Sequence, residues 1–157
     1  MDRMEKDLSK AASALGRKGG MSRSPAKRKA GKKNVSKAQK ERQRLRRLEK
    51  KADDLTRDRI MARDKRCVIC GSTQVLQWSH LITRRKIAVR WDPLNSVIMC
   101  RSCHARHHKQ GPEEYISWFL RTYGVDEYQN LVQRSNKPLS SAERKELIEH
   151  VAGGGEL

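Results

Sequence analysis

Four cysteines in two closely spaced pairs are the feature that most limits what this chain can fold into. Two residues separate Cys67 from Cys70, the same spacing separates Cys100 from Cys103, and 29 residues lie between the pairs. Four thiolates at such spacing suit a tetrahedral zinc ion, with zinc–sulfur distances of about 2.3 Å. A simple zinc ribbon places its pairs about 15–20 residues apart, so the longer interval here holds additional structure. We predict a structural zinc held by all four cysteines.

A second ligand set stays open, in which His104 or His107 takes the place of one cysteine. Disulfides are the other use of paired cysteines, and they depend on the cellular compartment. The N-terminal stretch MDRMEKDLSK lacks the apolar core of a signal peptide. No apolar run approaches the ~20 residues needed to cross a membrane. We therefore expect a cytoplasmic protein with no membrane partner, whose thiols stay reduced and bind metal.

Aromatic residues are confined to the middle of the chain. All of them lie between Trp78 and Tyr128, so a packed core is expected only from roughly Leu55 to Leu131. A core of that size is usually stabilised by a metal or by disulfides. The composition therefore supports the same zinc that the cysteine spacing predicts.

Basic charge is concentrated in the N-terminal part. Residues 1–66 hold 24 Lys and Arg against 9 Asp and Glu, a net of +15 out of the formal +18 of the whole chain. Dense positive charge is typical of proteins that bind a polyanion, because each neutralised phosphate releases counterions. A solvated tail that only maintains solubility is the alternative. We expect phosphate contacts from Lys27, Arg28, Lys29, Lys32 and Lys33.

Four segments differ in composition and in the structure they predict. We expect a basic, partly disordered arm over residues 1–34, a long basic helix over 35–64, a metal-binding domain over 65–132, and a separate C-terminal helix with a tail over 133–157. Within the third segment, QVLQWSH and SVIMC predict short strands, and PEEYISWFLRTYG predicts an amphipathic helix. The fold class is therefore α+β, a small zinc-stabilised domain flanked by helices.

An apolar stripe runs along the predicted long helix. Leu45, Leu48, Ala52 and Leu55 follow a 3-4-3 spacing on an otherwise charged segment. Two heptads are too few to establish a coiled coil, but the stripe permits a homodimer through this helix.

Histidine is concentrated around the second cysteine pair. His104 and His108 lie four residues apart, so on a helix they share a face and can jointly hold one metal ion. His80 follows a predicted strand, and Asn95 lies in the turn DPLN. Three histidines and an asparagine that could take part in chemistry thus occur between and just after the cysteine pairs.

The order CVICG…WSH…DPLN…CRSCHARHH resembles the HNH nuclease motif, with its first His, Asn and last His at His80, Asn95 and His104. Over roughly residues 55–132 the chain is similar to the NinG (Rap-like) recombination endonucleases of lambdoid phages. The resemblance implies that residues 65–132 form a ββα-metal (HNH) nuclease domain. It also implies a DNA substrate, branched in recombination or replication, and a bacterial host cell as the location.

The resemblance also implies a role for each matching residue. His80 would be the general base, and Asn95 would hold the loop that orients it. His104 and His108 would bind a catalytic Mg2+ or Mn2+ ion beside the scissile phosphate. The expected products carry 5′-phosphate and 3′-hydroxyl ends.

Other positions near the motif are less firmly placed by the resemblance. Arg84 or Arg85, just after the base, could clamp a phosphate oxygen. Ser79 stands where many HNH nucleases have a further metal ligand, which predicts a more hydrated site. His107 faces away from His108 on a helix, and it is an alternative ligand in place of His108.

Two other functions fit parts of the same sequence. A non-catalytic, zinc-stabilised DNA-binding or adaptor protein would explain the cysteines and the basic charge, but not His80, Asn95 and His104 together. An RNA substrate is the other, because basic charge does not distinguish DNA from RNA.

Overall fold

The computed structural model of this chain describes residues 24–157, and the chain divides into two units, 1–43 and 44–157. The part of the predicted arm that covers residues 1–23 lies outside the described residues. In the first unit, residues 25–43 are helical, and every lysine and arginine from 24 to 43 is exposed. These cations include the five that the sequence predicts as phosphate contacts.

Helix α1 spans Pro25–Asp64 and therefore begins within the predicted disordered arm. The Ser24 hydroxyl accepts a hydrogen bond from the Lys27 amide at 3.3 Å, which caps the first turn. Pro25 occupies the first helical position, where its missing N–H costs nothing. Gly31 costs a helix only about 1 kcal/mol relative to alanine, so it does not stop this one. The Ser-Pro pair was the signal for this start.

A two-stranded antiparallel sheet forms the centre of the second unit. Strand β1, Leu76–His80, pairs with strand β2, Ser96–Cys100, and Trp78 lies opposite Ile98. Helix α2, Arg101–Gln110, follows β2 directly and contacts both strands. The predicted strands and the α+β class are confirmed.

The outer edge of β2 is covered by the end of α1 and the segment after it. The Arg63 guanidinium donates to the Ser96 carbonyl at 2.8 Å. The Ile98 amide donates to the Asp64 carboxylate at 2.8 Å, and the Val68 amide donates to the Ile98 carbonyl at 3.0 Å. Side-chain and backbone groups thus replace a third strand.

Three helices complete the unit. They are α3, Glu113–Tyr123, α4, Val125–Ser135, and α5, Ser141–Ala152. Ser140 and Glu143 cap α5 reciprocally and so form a capping box. None of the helices within residues 24–157 is both long and apolar enough to cross a bilayer.

Buried side chains form three clusters. The first surrounds the cysteines and includes Val97, Met99 and Tyr115. The second joins Val89, Phe119 and Leu131, so the aromatic helix α3 packs inward as its period predicts. The third joins α1 to α5 through Ala52, Trp91, Ile148, Val151 and Ala152.

The third cluster corrects the prediction of a separate C-terminal helix. Ile148 and Val151 are each 1 % exposed and pack with Ala52, which is fully buried. Ion pairs flank this contact, including Arg144 with Glu49 at 2.7 Å. The apolar face of α5 thus packs on part of the stripe on α1. Leu48 and Ala52, two residues of that stripe, therefore already pack within this cluster of the same chain. Dimerisation through the stripe stays a prediction.

Candidate functional site

The four cysteines converge as their spacing predicts. Their sulfur atoms all lie within 4.8 Å of one another, and the Cys70 and Cys100 sulfurs are 3.7 Å apart. A tetrahedral site with bonds of about 2.3 Å has sulfur–sulfur edges of about 3.8 Å. No other group of three or more His, Cys, Asp or Glu within residues 24–157 meets this criterion. The quartet fits a structural zinc ion.

A tight turn presents the first cysteine pair. The Gly71 amide donates to the Cys67 carbonyl at 2.8 Å, and the Cys67 amide donates to the Ser72 carbonyl at 2.8 Å. Gly71 has a φ of +74°, which a side-chain-bearing residue rarely adopts. This turn brings Cys67 and Cys70 together.

The second pair is presented by the junction of β2 and α2. Cys100 ends the strand, and Cys103 lies in the first turn of the helix. The backbone N–H of Cys103 lowers the pKa of Cys100 to about 7, whereas burial raises the pKa of Cys103. The Arg106 guanidinium lies 3.3 Å from the Cys103 sulfur and favours its thiolate. The backbone at the start of α2 thus favours the thiolate of Cys100, and Arg106 favours that of Cys103 against the effect of burial.

Four of the five histidines line one cavity of about 520 Å³, here called the histidine cavity. These four are His80, His104, His107 and His108, and Trp78, Thr83 and Arg84 contribute to the wall. His150 lies on α5 and hydrogen-bonds the Glu156 carbonyl, consistent with no role at this site. Residues from β1, the following loop and α2 are thus brought to one place.

His80 is held by the backbone of the loop. Its Nε2 lies 3.1 Å from the Arg90 carbonyl, so Nε2 carries the proton and Nδ1 is left as an acceptor. Burial lowers the pKa of His80 to about 4, although the hydrogen bond to Arg90 opposes this effect. The ring is therefore neutral at physiological pH, as a general base requires.

Asn95 fixes the loop that holds His80. Its side chain accepts from the Ile82 amide at 2.7 Å and donates to the carbonyls of Ile82 and Val89 at 3.0 and 2.8 Å. Asn95 is fully buried, so these three bonds satisfy groups that water cannot reach. Its geometry is that of a loop anchor, the role that the resemblance implies.

His104 and His108 face each other on α2. Their Nε2 atoms are 3.0 Å apart, the separation of neighbouring ligands around an octahedral ion with bonds of about 2.1 Å. His104 Nδ1 donates to the Gln77 carbonyl oxygen Oε1 at 2.7 Å, which leaves Nε2 free as a metal ligand. Burial, followed by the charges of the neighbouring histidines, lowers the pKa of His104. The two Nε2 atoms are therefore spaced so that they could hold one ion together.

His107 has a different partner from its neighbours. Its Nε2 donates to the His80 carbonyl at 3.2 Å, which ties α2 to the end of β1. Burial lowers its pKa. This contact favours His108 over His107 as the partner of His104. Ser79 is 1 % exposed, and its hydroxyl has no hydrogen-bond partner within the described part of the chain.

Arg84 and Arg85, the two arginines predicted to contact phosphate, lie at different cavities. Arg84 lines the histidine cavity and donates to Asp53 at 2.9 Å, whereas Arg85 lines a different cavity. Asp53 on α1 also accepts from Arg90 at 2.6 and 2.9 Å and from the Trp91 indole at 2.8 Å. One carboxylate thus ties the loop to the long helix.

Sequence reasoning missed Gln77, Asp53 and the carbonyl of Arg90, which orient the histidines and the loop. Gln77 left a weak signal, because a long polar side chain in a short strand needs a partner. Asp53 is one of many acidic residues on a charged helix, and a backbone carbonyl has no sequence signature.

Comparison with known proteins assigns no family. No model of a protein family, no curated protein and no solved structure matches the chain. Function is therefore inferred from the cysteine quartet and the histidine cavity.

Proposed function

We propose that this chain is a metal-dependent endonuclease of the HNH type that hydrolyses phosphodiester bonds in DNA. One observation carries the proposal: His80, held as a neutral base, lines the same cavity as the facing imidazoles of His104 and His108. A structural zinc needs no such cavity, and neither does a protein that only binds DNA. The quartet supports the proposal by fixing the start of the helix that carries both imidazoles.

His80 supplies the base. Its Nδ1 takes a proton from the attacking water, and Nε2–H remains on the Arg90 carbonyl while the ring becomes positively charged. That hydrogen bond strengthens as the charge develops. Asn95 keeps the loop, and with it the Arg90 carbonyl, in place during this step.

His104 and His108 would hold a Mg2+ or Mn2+ ion through Nε2. When bound, that ion would stabilise negative charge on the phosphate and on the leaving 3′ oxygen. Gln77 orients the His104 ring through Nδ1 and thereby directs Nε2 into the cavity. Arg84, on the wall of the same cavity, would exchange Asp53 for a phosphate oxygen when DNA enters.

The order of elements supports the same proposal. Strands β1 and β2 are followed by α2, with the base at the end of β1 and the two imidazoles on α2. This is the order of a ββα-metal domain. With the resemblance to NinG-type endonucleases, it leads us to propose branched DNA of phage recombination or replication as the substrate, cleaved in the cytoplasm of the bacterial host.

Nicking of supercoiled plasmid with Mg2+ or Mn2+ tests the proposal. We expect His80→Ala to lower the nicking rate by about 10²- to 10⁴-fold, the usual contribution of a general base. His150→Ala is the matched control, because His150 lies outside the cavity, and it should nick at the wild-type rate. Equal nicking by wild type and His80→Ala would refute the assignment of the base.

The same assay separates the proposal from its two rivals. A wild-type protein that binds DNA tightly but never nicks it would favour the non-catalytic binding protein. Competition between branched DNA, linear duplex and structured RNA then ranks the substrates. A preference for RNA would overturn the choice of DNA.

A further inference from the structure

A second cavity, here called the basic cavity, lies on the other side of the loop that follows β1. Its volume is about 380 Å³, and four cations line it with no acidic residue: Arg85, Lys86, Lys137 and Arg144. Ligand sites in proteins begin at about 300 Å³, so this cavity is large enough for one phosphate with part of its sugar.

Neighbouring side chains hold two of these cations. The Lys86 ammonium donates to the Asn136 amide oxygen at 3.0 Å. Arg144 donates to Glu49 at 2.7 Å, yet half of its side chain remains exposed. Cations placed in advance lose less conformational entropy when a ligand binds.

Only one of the four cations, Lys137, has a position that stabilisation of a helix would explain. Lys137 follows the C-terminal end of α4, where the helix dipole favours positive charge. Arg85 and Lys86 come from the loop after β1, and Arg144 lies on α5. Glu49 balances Arg144, but no acidic residue lines the cavity beside Arg85, Lys86 and Lys137, whose like charges from two segments favour an anion between them. The arrangement is that of an anion site.

Two adjacent arginines connect the basic cavity to the histidine cavity. Arg84 lines the histidine cavity, and Arg85 lines the basic cavity. The two residues are neighbours in the chain, so one stretch of loop contributes to the walls of both cavities. A polynucleotide that crosses this loop can therefore place one phosphate in each.

We propose that the basic cavity binds a backbone phosphate of the same polynucleotide whose scissile bond enters the histidine cavity. This inference rests on the proposed function. It extends that function to Lys86, Lys137, Asn136 and Arg144, which neither the motif nor the basic N-terminal segment includes.

The experiment measures binding of a labelled DNA duplex by fluorescence anisotropy over a series of NaCl concentrations, without added Mg2+ or Mn2+. The full chain carries Lys86→Gln together with Lys137→Gln. Lys51→Gln is the control, since Lys51 is an exposed lysine outside both cavities. Zinc content and thermal melting confirm that each variant is folded.

Each lost phosphate contact lowers the slope of log K against log salt by about 0.9. Because the cavity is proposed to bind one phosphate, we expect the double variant to lose up to about 0.9 from the slope, equally on unrelated DNA sequences, and Lys51→Gln to keep the wild-type slope. In the nicking assay the double variant should raise KM and leave kcat unchanged, as loss of a remote binding contact does.

A double variant with the slope of Lys51→Gln would overturn the phosphate site, while the His80→Ala result would still decide the nuclease proposal. A reduced slope in a protein that does not nick DNA would support the phosphate site and refute the nuclease. Wild-type protein without affinity for the duplex would refute both proposals.

Discussion

The cysteine quartet and the histidine cavity share one helix but differ in how complete they are. Cys103 and His104 are adjacent on α2, yet one faces the buried quartet and the other faces the cavity. Three of the four cysteines are at most 7 % exposed, and the four sulfurs lie within 4.8 Å of one another. The histidine cavity is open, and within it the imidazoles of His104 and His108 face each other.

From that difference we expect the quartet to contribute to stability and the histidine cavity to contribute to chemistry. A metal site with four protein ligands has no place for substrate, whereas a site with few ligands keeps positions for water and phosphate. Loss of the quartet should therefore abolish the fold, and loss of a cavity residue should abolish activity in a protein that still folds. The following predictions test this division, from the largest expected effect to the smallest.

Cys67→Ser should unfold residues 55–132. Structural zinc in small domains binds with about 10–16 kcal/mol, which is comparable to the whole stability of a typical domain, about 5–15 kcal/mol. We expect loss of the cooperative thermal transition and of one zinc per chain by elemental analysis. His108→Ala, at the other site, should keep both the transition and the zinc.

An unchanged melting curve for Cys67→Ser, or for wild type treated with a chelator, would show that the quartet is not structural. Equal destabilisation by Cys67→Ser and His108→Ala would show that the two sites are a single unit.

Acid should destabilise the protein through His80. Its pKa is lowered to about 4 in the folded chain by burial and is about 6.5 when unfolded. The unfolded state therefore binds the proton more tightly, so stability is complete above pH 6.5 and falls as the pH drops toward 4. The loss reaches at most about 3 kcal/mol.

Urea unfolding of wild type and His80→Gln between pH 7 and pH 4 measures this term. The amide of glutamine can still donate to the Arg90 carbonyl, and acid release of zinc affects both proteins alike. The stability difference between them should change with pH by up to the stated amount. A constant difference would mean that His80 is not buried as a neutral base.

Gln77→Leu should weaken the divalent ion site without affecting the quartet. It removes the acceptor that orients His104, and loss of such a partner typically costs 10- to 100-fold in metal affinity. Titration of the zinc-loaded protein with Mn2+ by calorimetry measures the change. Gln74→Leu, on an exposed glutamine nearby, is the control. Equal Mn2+ affinity in all three proteins would exclude a role for Gln77.

Val75→Asn should stabilise the protein slightly. Val75 joins the first cysteine turn to β1 with a φ of +45° and a side chain that is 64 % exposed. A left-handed conformation costs an ordinary residue about 1–2 kcal/mol, and asparagine tolerates it better. We expect a gain of about 1 kcal/mol in urea unfolding. Val125→Asn, also exposed but helical, should give no gain, and a gain from both would point to hydrophobicity instead of strain.

Local structure was largely predictable from the sequence. The strands, the amphipathic helix α3 and the cysteine quartet follow from apolar periodicity, turn residues and ligand spacing, which act over a few residues. The pairing of α5 with α1 was not predictable, because a 3-4 period shows which face of a helix is apolar but not which partner covers it. Ile148 and Ala52 belong to one buried cluster, although they are 96 positions apart in the sequence.

The candidate site shows the same limit. The sequence predicted that His80, His104 and His108 belong to one site, and the structure brings these residues to one cavity. The groups that orient them, Gln77 and the Arg90 carbonyl, come from segments whose approach depends on the loop and its anchor. Tertiary contacts of that kind leave almost no local pattern.

The covered edge of β2 has a consequence for aggregation when the metal is lost. Its central residue, Ile98, bonds to Asp64 and Val68, and Val68 follows the first zinc ligand directly. Loss of a zinc from the quartet should free that segment and bare a strand whose five residues are all buried in the folded state. An open strand edge of this composition can pair with a second copy of itself. We therefore expect the metal-free protein to aggregate instead of remaining an unfolded monomer.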